Sequence, residues 1–342
     1  MANTPLAWAA ENGHEEVVRM LLGRDDIDPD KPDYCGMTPL AHAASHGHEG
    51  VVRILLGRHD INPDKPDRLG KTPLLQAAWN GQDGAVQSPL GRDDVNSDKP
   101  DGGGQAPLSR AAFIGHEGVV RLLLGQDHVN PNKPDADGRT PLSRAACNGK
   151  QGIVEILLGR DDVDPNQPEL FDVTPLWLAA SNGHEGVVKL LLGRHDINPD
   201  VPDHGGMTPL SQAASHGHEG VVRVLLGRHD VNPDMPDCCG STPLAQAACN
   251  GHAGVVKLLL GQDDVNPNMP DHRGRTPFLW AARNGREEVV KLLLAQDNIN
   301  HDMPDLSGQM PLLWAARTGQ AGVVELLLGQ DDTNPVMRRK LG

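Results

Sequence analysis

Gly36-Met37-Thr38-Pro39-Leu40-Ala41-His42-Ala43-Ala44-Ser45-His46-Gly47-His48-Glu49-Gly50-Val51-Val52-Arg53-Ile54-Leu55-Leu56-Gly57 is the stretch that decides the fold. Thr38 offers a hydroxyl to a free backbone N–H as an N-cap, and Pro39 follows at the first helical position, where a missing N–H is no loss. The Ala43-Ala44 pair is small enough for close helix contact, and Gly47 suits a left-handed C-cap. A second helix is predicted over 49–57. Its Val51, Val52, Leu55 and Leu56 fall at i, i+1, i+4 and i+5, which gives one apolar face. The segment beyond it, Asp60-Ile61-Asn62-Pro63-Asp64-Lys65-Pro66-Asp67, is polar, rich in turn formers and held extended by its prolines.

The same unit recurs along the chain. Thr-Pro-Leu or a close variant begins a unit at Thr4, Thr38, Thr72, Ala106, Thr140, Thr174, Thr208, Thr242, Thr276 and Met310, always 34 residues apart. The prolines test this register independently: 27 of the 28 stand one residue after, six before or nine before the Thr position, and Pro89 alone does not. Residues 36–67 and 206–237 differ at five of 32 positions, the mark of recent tandem duplication. A 342-residue chain with this register is predicted to form a single all-α repeat domain over 1–342, with ten helix-turn-helix units joined by hairpin loops.

The pattern Gly-x-Thr-Pro-Leu-x-x-Ala-Ala-x-x-Gly-His-x-x-Val-Val-x-x-Leu-Leu resembles the ankyrin repeat, over essentially the whole chain. Two departures stand out. The period is 34 where the family usually has 33, and Arg-Asp-Asp-Val-Asn followed by Pro-Asp-Lys-Pro-Asp replaces the familiar Gly-Ala-Asp-Val-Asn, which lengthens the hairpin. Arrays this uniform resemble the sensor arrays of fungal NLR-like proteins. The resemblance implies an α-solenoid whose concave face, lined by first helices and hairpin tips, grips a protein or peptide.

Composition narrows the partners. Acidic side chains outnumber basic ones by 46 to 31, for a net charge of −15, which opposes nucleic acid and anionic membranes. The five cysteines, Cys35, Cys147, Cys238, Cys239 and Cys249, are odd in number and lack C-x-x-C spacing. They point to a reducing compartment, and the N-terminus lacks a signal h-region, so a cytoplasmic location is expected.

No phosphate cradle, nucleophile elbow or His-Glu-x-x-His motif is present, so we expect neither catalysis nor a cofactor. Six of the 16 histidines (His14, His48, His116, His184, His218, His252) share one position just after the helix-one Gly, where the resemblance implies that they bind neighbouring backbone. The acidic hairpins place oxygen side chains at alternate positions, as in Asp26-Ile27-Asp28-Pro29-Asp30. That pattern suits turn capping and loop-to-loop bonding, with weak divalent-cation binding as the alternative. Repeat three breaks its own pattern in helix two, where Ser88-Pro89 stands in an otherwise aliphatic run. A kink or early helix end is expected near Pro89, as either a hinge or a decayed unit.

Recognition is expected where the units differ. Positions four, seven and eight after the Thr vary, as do the hairpin tips three and four before it, and the first three share one face of helix one by i, i+3, i+4 geometry. Along repeats three to six these positions carry Trp79; Arg110, Phe113 and Ile114; Arg144 and Cys147; then Leu170, Phe171 and Leu178. A second cluster, Trp280, Arg283, Trp314 and Arg317, lies in repeats nine and ten, with packing as the competing role for its tryptophans. Trp and Arg are the residue types enriched in interface hot spots. End-to-end self-association is the second functional reading, because Leu326, Leu327 and Leu328 end the array as an internal unit would.

Overall fold

The computed structural model describes residues 4–331, and among them the backbone forms twenty α-helices, one short 3₁₀ turn and no strand. The chain divides into two compact units between Leu170 and Phe171. Each unit is an all-α repeat solenoid. In the first, successive first helices (Pro5–Glu11, Pro39–His46, Pro73–Asn80, Pro107–Ile114, Pro141–Cys147) pack on one another, and the second helices form a parallel row behind them. The second unit repeats this layering with first helices from Pro175–Ser181 to Pro311–Arg317.

The capping reading holds in detail. Thr38 Oγ1 accepts the Ala41 N–H at 3.1 Å, and all eight Thr caps make the equivalent bond. Ala106 and Met310 have no side-chain oxygen and make none. Gly47 ends its helix at φ +76°, and its counterparts in the other nine repeats are likewise left-handed. Leu40, Ala43, Ala44, Val51, Val52 and Leu55 are essentially excluded from solvent, so each repeat supplies one thin layer of core to its neighbours.

Pro89 does not end its helix early. The helix runs its full eight residues, Asp83–Leu90, as in the other repeats. Only one helical residue lies beyond the proline, so the missing N–H affects the last turn alone. There, the bond that Gly57 N–H gives Arg53 O in repeat two has no counterpart at Gly91, while Arg92 N–H still reaches Pro89 O at 3.0 Å. The two residues of the Ser88-Pro89 break also stand differently in the core. Pro89, not Ser88, takes the place of the buried leucine, because the counterpart of Ser88 is the half-buried Ile54. Ser88 Oγ donates to Gly84 O instead.

The hairpins are tied together by the side chains that the sequence places there. Asn62 Oδ1 accepts the Asp64 N–H within its own turn, and Asp30 Oδ2 accepts the Asn62 N–H from the next repeat at 2.7 Å. One oxygen of each such carboxylate is therefore taken by a backbone amide, as the turn-capping reading expected, while Oδ1 of Asp30, Asp64, Asp98, Asp200 and Asp234 is buried without a partner. Among the described residues no group of three or more His, Cys, Asp or Glu is arranged to hold a metal ion. Post-Gly His48, His116, His218 and His252 also bind backbone of the preceding repeat, with His48 Nε2 on Glu11 O at 2.8 Å and His252 Nε2 on Ser215 O at 2.9 Å.

Candidate partner-binding surfaces

The variable face of each first helix stands on a fixed carboxylate. In repeat four, Asp101 Oδ1 accepts the N–H groups of Gly103 and Gln105, which closes the hairpin tip, and Oδ2 is left facing helix one. The residue four after the Thr position takes that oxygen. Arg110 does so at 3.0 Å, His42 and Gln76 do so on Asp33 and Asp67, and the indole N–H of Trp314 donates to Asp305 at 2.9 Å. Burial works to raise the Asp101 carboxyl, yet the Gln105 N–H, the Arg110 guanidinium and the Gly103 N–H together hold it below its ordinary value.

Sequence reasoning missed this pairing because its partners lie nine residues apart across a turn. A signal was nevertheless present. Asp five before the Thr position co-occurs with a donor four after it, and both fail together in repeat six, where Glu169 and Leu178 stand instead. Glu169 turns back to Arg139 Nε at 3.1 Å. Gln212 is an exception of another kind and faces Met207 Sδ.

In the first unit the structure gathers Trp79, Arg110, Phe113 and Arg144 into alternating cation and ring contacts. Lys71 Nζ lies 3.8 Å from the Trp79 ring centroid, Arg110 Cζ lies 4.1 Å from the same ring, and Arg144 Cζ lies 5.5 Å from Phe113. Phe113 is 37% exposed and Ile114 is half-buried beside it. Arg144 departs from the expected surface role. It is only 8% exposed, because Asp135 draws its guanidinium inward to form an ion pair. Leu170 is exposed at the hairpin tip that closes this unit.

In the second unit Leu178 is likewise 8% exposed and packed, with no polar side chain to lift it toward the hairpin. Phe171 is 73% exposed and sits at φ +65°, a conformation that disfavours a bulky side chain, next to Asp172 at φ +62°. The other candidates form one stack. Trp280 lies between Arg275 at 4.1 Å and Arg283 at 5.3 Å, and Trp314 lies between Arg283 at 4.5 Å and Arg317 at 5.4 Å. The tryptophans thus both pack and present: each N–H is anchored to a hairpin carboxylate while the ring orders two guanidinium groups.

Stacked helix pairs closed by capped hairpins, with aromatic and arginine departures gathered on the first helices, define a repeat scaffold. The chain belongs to the ankyrin-repeat family: the family model for ankyrin repeats, in three copies, matches residues 6–96, 74–169, 159–237, 176–271, 224–305 and 244–338. Ankyrin repeats are, in general, non-catalytic modules of protein–protein interaction. A comparison with curated proteins found no match. No helix among the described residues is long and apolar enough to cross a membrane.

Proposed function

We propose that this protein is a non-catalytic scaffold that binds a protein or peptide partner on the face formed by its first helices and hairpin tips, the concave face of the family. The observation that supports the reading is that most of the side chains departing from the repeat on that face are Trp, Phe and Arg, and that Trp79 with Arg110, Phe113 with Arg144, and Trp280, Arg283, Trp314 and Arg317 stack on one another. Such ring and guanidinium stacks carry large contact area at low entropic cost, as hot spots do. In the first unit the contact residues are Trp79, Phe113, Ile114 and Leu170, with Arg110 and Arg144 as the paired cations behind the rings. In the second they are Phe171, Trp280, Arg283, Trp314 and Arg317. The protein works in a reducing compartment, without a cofactor, and its partner is neither nucleic acid nor membrane.

The test is affinity capture from the native cell with the parent chain, a Trp79→Ala/Phe113→Ala variant and a Trp280→Ala/Trp314→Ala variant, each with its melting temperature. Loss of a captured protein at unchanged melting temperature supports recognition. Undiminished capture by both variants sinks it.

A second reading, end-to-end self-association, is favoured by one observation. Trp8 and Met20 in repeat one and Leu313 and Leu328 in repeat ten are all more than half or about half exposed, although their repeats belong to an array that elsewhere buries its aliphatic faces.

A further inference from the structure

The distribution of unpaired arginines identifies what the second unit's stack is built to hold. Twelve of the described arginines pair with Asp or Glu. Of the seven that do not, four (Arg273, Arg283, Arg286 and Arg317) lie between residues 273 and 317. Over residues 273–317 six basic side chains stand against five acidic ones, so in a chain of net charge −15 this stretch lacks the general acidic excess and its free cations are gathered in it. The carboxylates built into the site are already occupied. Asp271 receives Arg275, the Trp280 indole and two backbone N–H groups, and Asp305 receives the Trp314 indole and the N–H groups of Ser307 and Gln309.

Arg283 is the centre of the arrangement. Its guanidinium lies between the Trp280 and Trp314 rings, which fix its position without using its N–H groups, and it makes no side-chain hydrogen bond. Arg317 closes the stack on the far side of Trp314 and touches only Gln309 Oε1, at 3.4 Å. Arg286 reaches back to Cys249 O at 3.1 Å. Burial pushes the Cys249 thiol up against the Asn284 side-chain hydrogen bond and the weaker pull of Arg286, Arg283 and Arg275, so three cations share one field around that residue. Burial likewise pushes up the equivalent Cys147 in the first unit, but there Glu169 adds to the rise against Arg139 and Arg144, a mixed environment.

A stacked guanidinium with an open edge suits a planar, bidentate anion, and the carboxylate is the matching group. Arg283 and Arg317 recur at the repeat spacing of roughly 10 Å. A polyproline-type chain rises ~3.1 Å per residue with three residues per turn, so acidic side chains at every third position project on one side about 9 Å apart. A long polyanion would also meet the acidic surroundings. A short acidic segment meets only the patch, since charges beyond ~8 Å are screened at physiological salt.

We propose that the Arg275–Trp280–Arg283–Trp314–Arg317 stack docks an extended acidic segment of a partner protein, with successive carboxylates on the open edges of Arg283 and Arg317. The proposal rests on the scaffold reading and adds the chemistry of the partner.

The test uses the full chain and two fluorescein-labelled peptides, a four-fold Glu-Pro-Pro repeat and its Gln-Pro-Pro counterpart, read by fluorescence anisotropy at about 0.15 M salt. The Glu peptide is expected to bind at least about tenfold more tightly than the Gln peptide. An Arg283→Gln/Arg317→Gln variant of unchanged melting temperature is expected to lose that advantage, with Arg283→Lys intermediate because it keeps charge but not the fork. Equal binding of the two peptides, binding of neither, or full binding by the double Gln variant overturns the proposal. So does tighter binding of a labelled oligothymidylate, which would make the patch a nucleic-acid site. A doubling of sedimenting mass that is lost in the double Gln variant would make the occupant a second copy and overturns it too. If a captured cellular protein is released by Trp280→Ala/Trp314→Ala but not by the double Gln variant, the acidic class fails while the scaffold reading stands. Failure of capture throughout removes both.

Discussion

At the scale of single residues, the ten units act as internal controls for one another. Ala106 occupies the N-cap position with the same extended backbone as the threonines, at φ −77° and ψ 161°, yet leaves the N–H groups of the first turn without a side-chain acceptor. Its site is as buried as that of Thr38, so a threonine placed there meets the surroundings that already accommodate one in the neighbouring repeats. Ala106→Thr is therefore expected to stabilise the fold by about 1 kcal/mol, the usual worth of such a cap. Equilibrium urea unfolding would measure the gain, and no gain would mean that the repeat-four cap is satisfied in some other way. The cap, the C-terminal glycine and the post-Gly histidine were all legible in sequence, because each acts within a few residues or on the backbone. The inward turn of Arg144 was not. It depends on Asp135 being brought beside the helix by a turn.

At the scale of an element, the hairpins show how one carboxylate is handled in two ways. Asp234 Oδ2 accepts the Asn266 N–H at 2.6 Å, whereas its Oδ1 is buried with no partner. In the next repeat Asn268 holds the same place. Its Oδ1 accepts the Asn300 N–H, and its Nδ2 donates to Asn298 O at 2.7 Å. By equivalence, Asp234 Oδ1 faces a carbonyl to which it donates only when protonated. Burial pushes the Asp234 carboxyl above its ordinary value, the Asn266 N–H pulls it back, and Asp264 adds to the rise. A folded-state value above the unfolded one means a contribution to stability that is fully present below the unfolded pKa, near ~3.9, and lost as pH rises through the folded value. Asp234→Asn is therefore expected to stabilise the protein at pH 7 by on the order of 1 kcal/mol, one added hydrogen bond, and the gain should shrink as pH falls toward 4. Thermal melts across that range decide it, and a gain that grows in acid would refute the assignment. The helix containing Pro89 illustrates the opposite limit of sequence reading. Proline's effect was legible, but its size depended on how much helix remained beyond it, and only Leu90 does.

At the scale of the whole molecule, the exposed Trp8, Met20, Leu313 and Leu328 lead to an expectation about assembly. Apolar faces left uncovered on a repeat invite stacking of copies. Sedimentation of the parent chain against a Met20→Glu/Leu328→Glu variant is expected to show concentration-dependent growth only in the parent. A parent that stays monomeric at high concentration leaves the scaffold function alone. The sequence by itself determined the family, the ten-unit register, both helices of each unit and the positions at which the units differ, because a repeat fold is held together by short-range rules applied many times over. Tertiary structure alone decided which of the differing residues face solvent. Arg144 and Leu178 are buried, while Arg283 lies between two indole rings with its donors open. The physical reason is that exposure on this face depends on a carboxylate nine residues away and on rings contributed by the next repeat, relations that appear only once the layers are stacked.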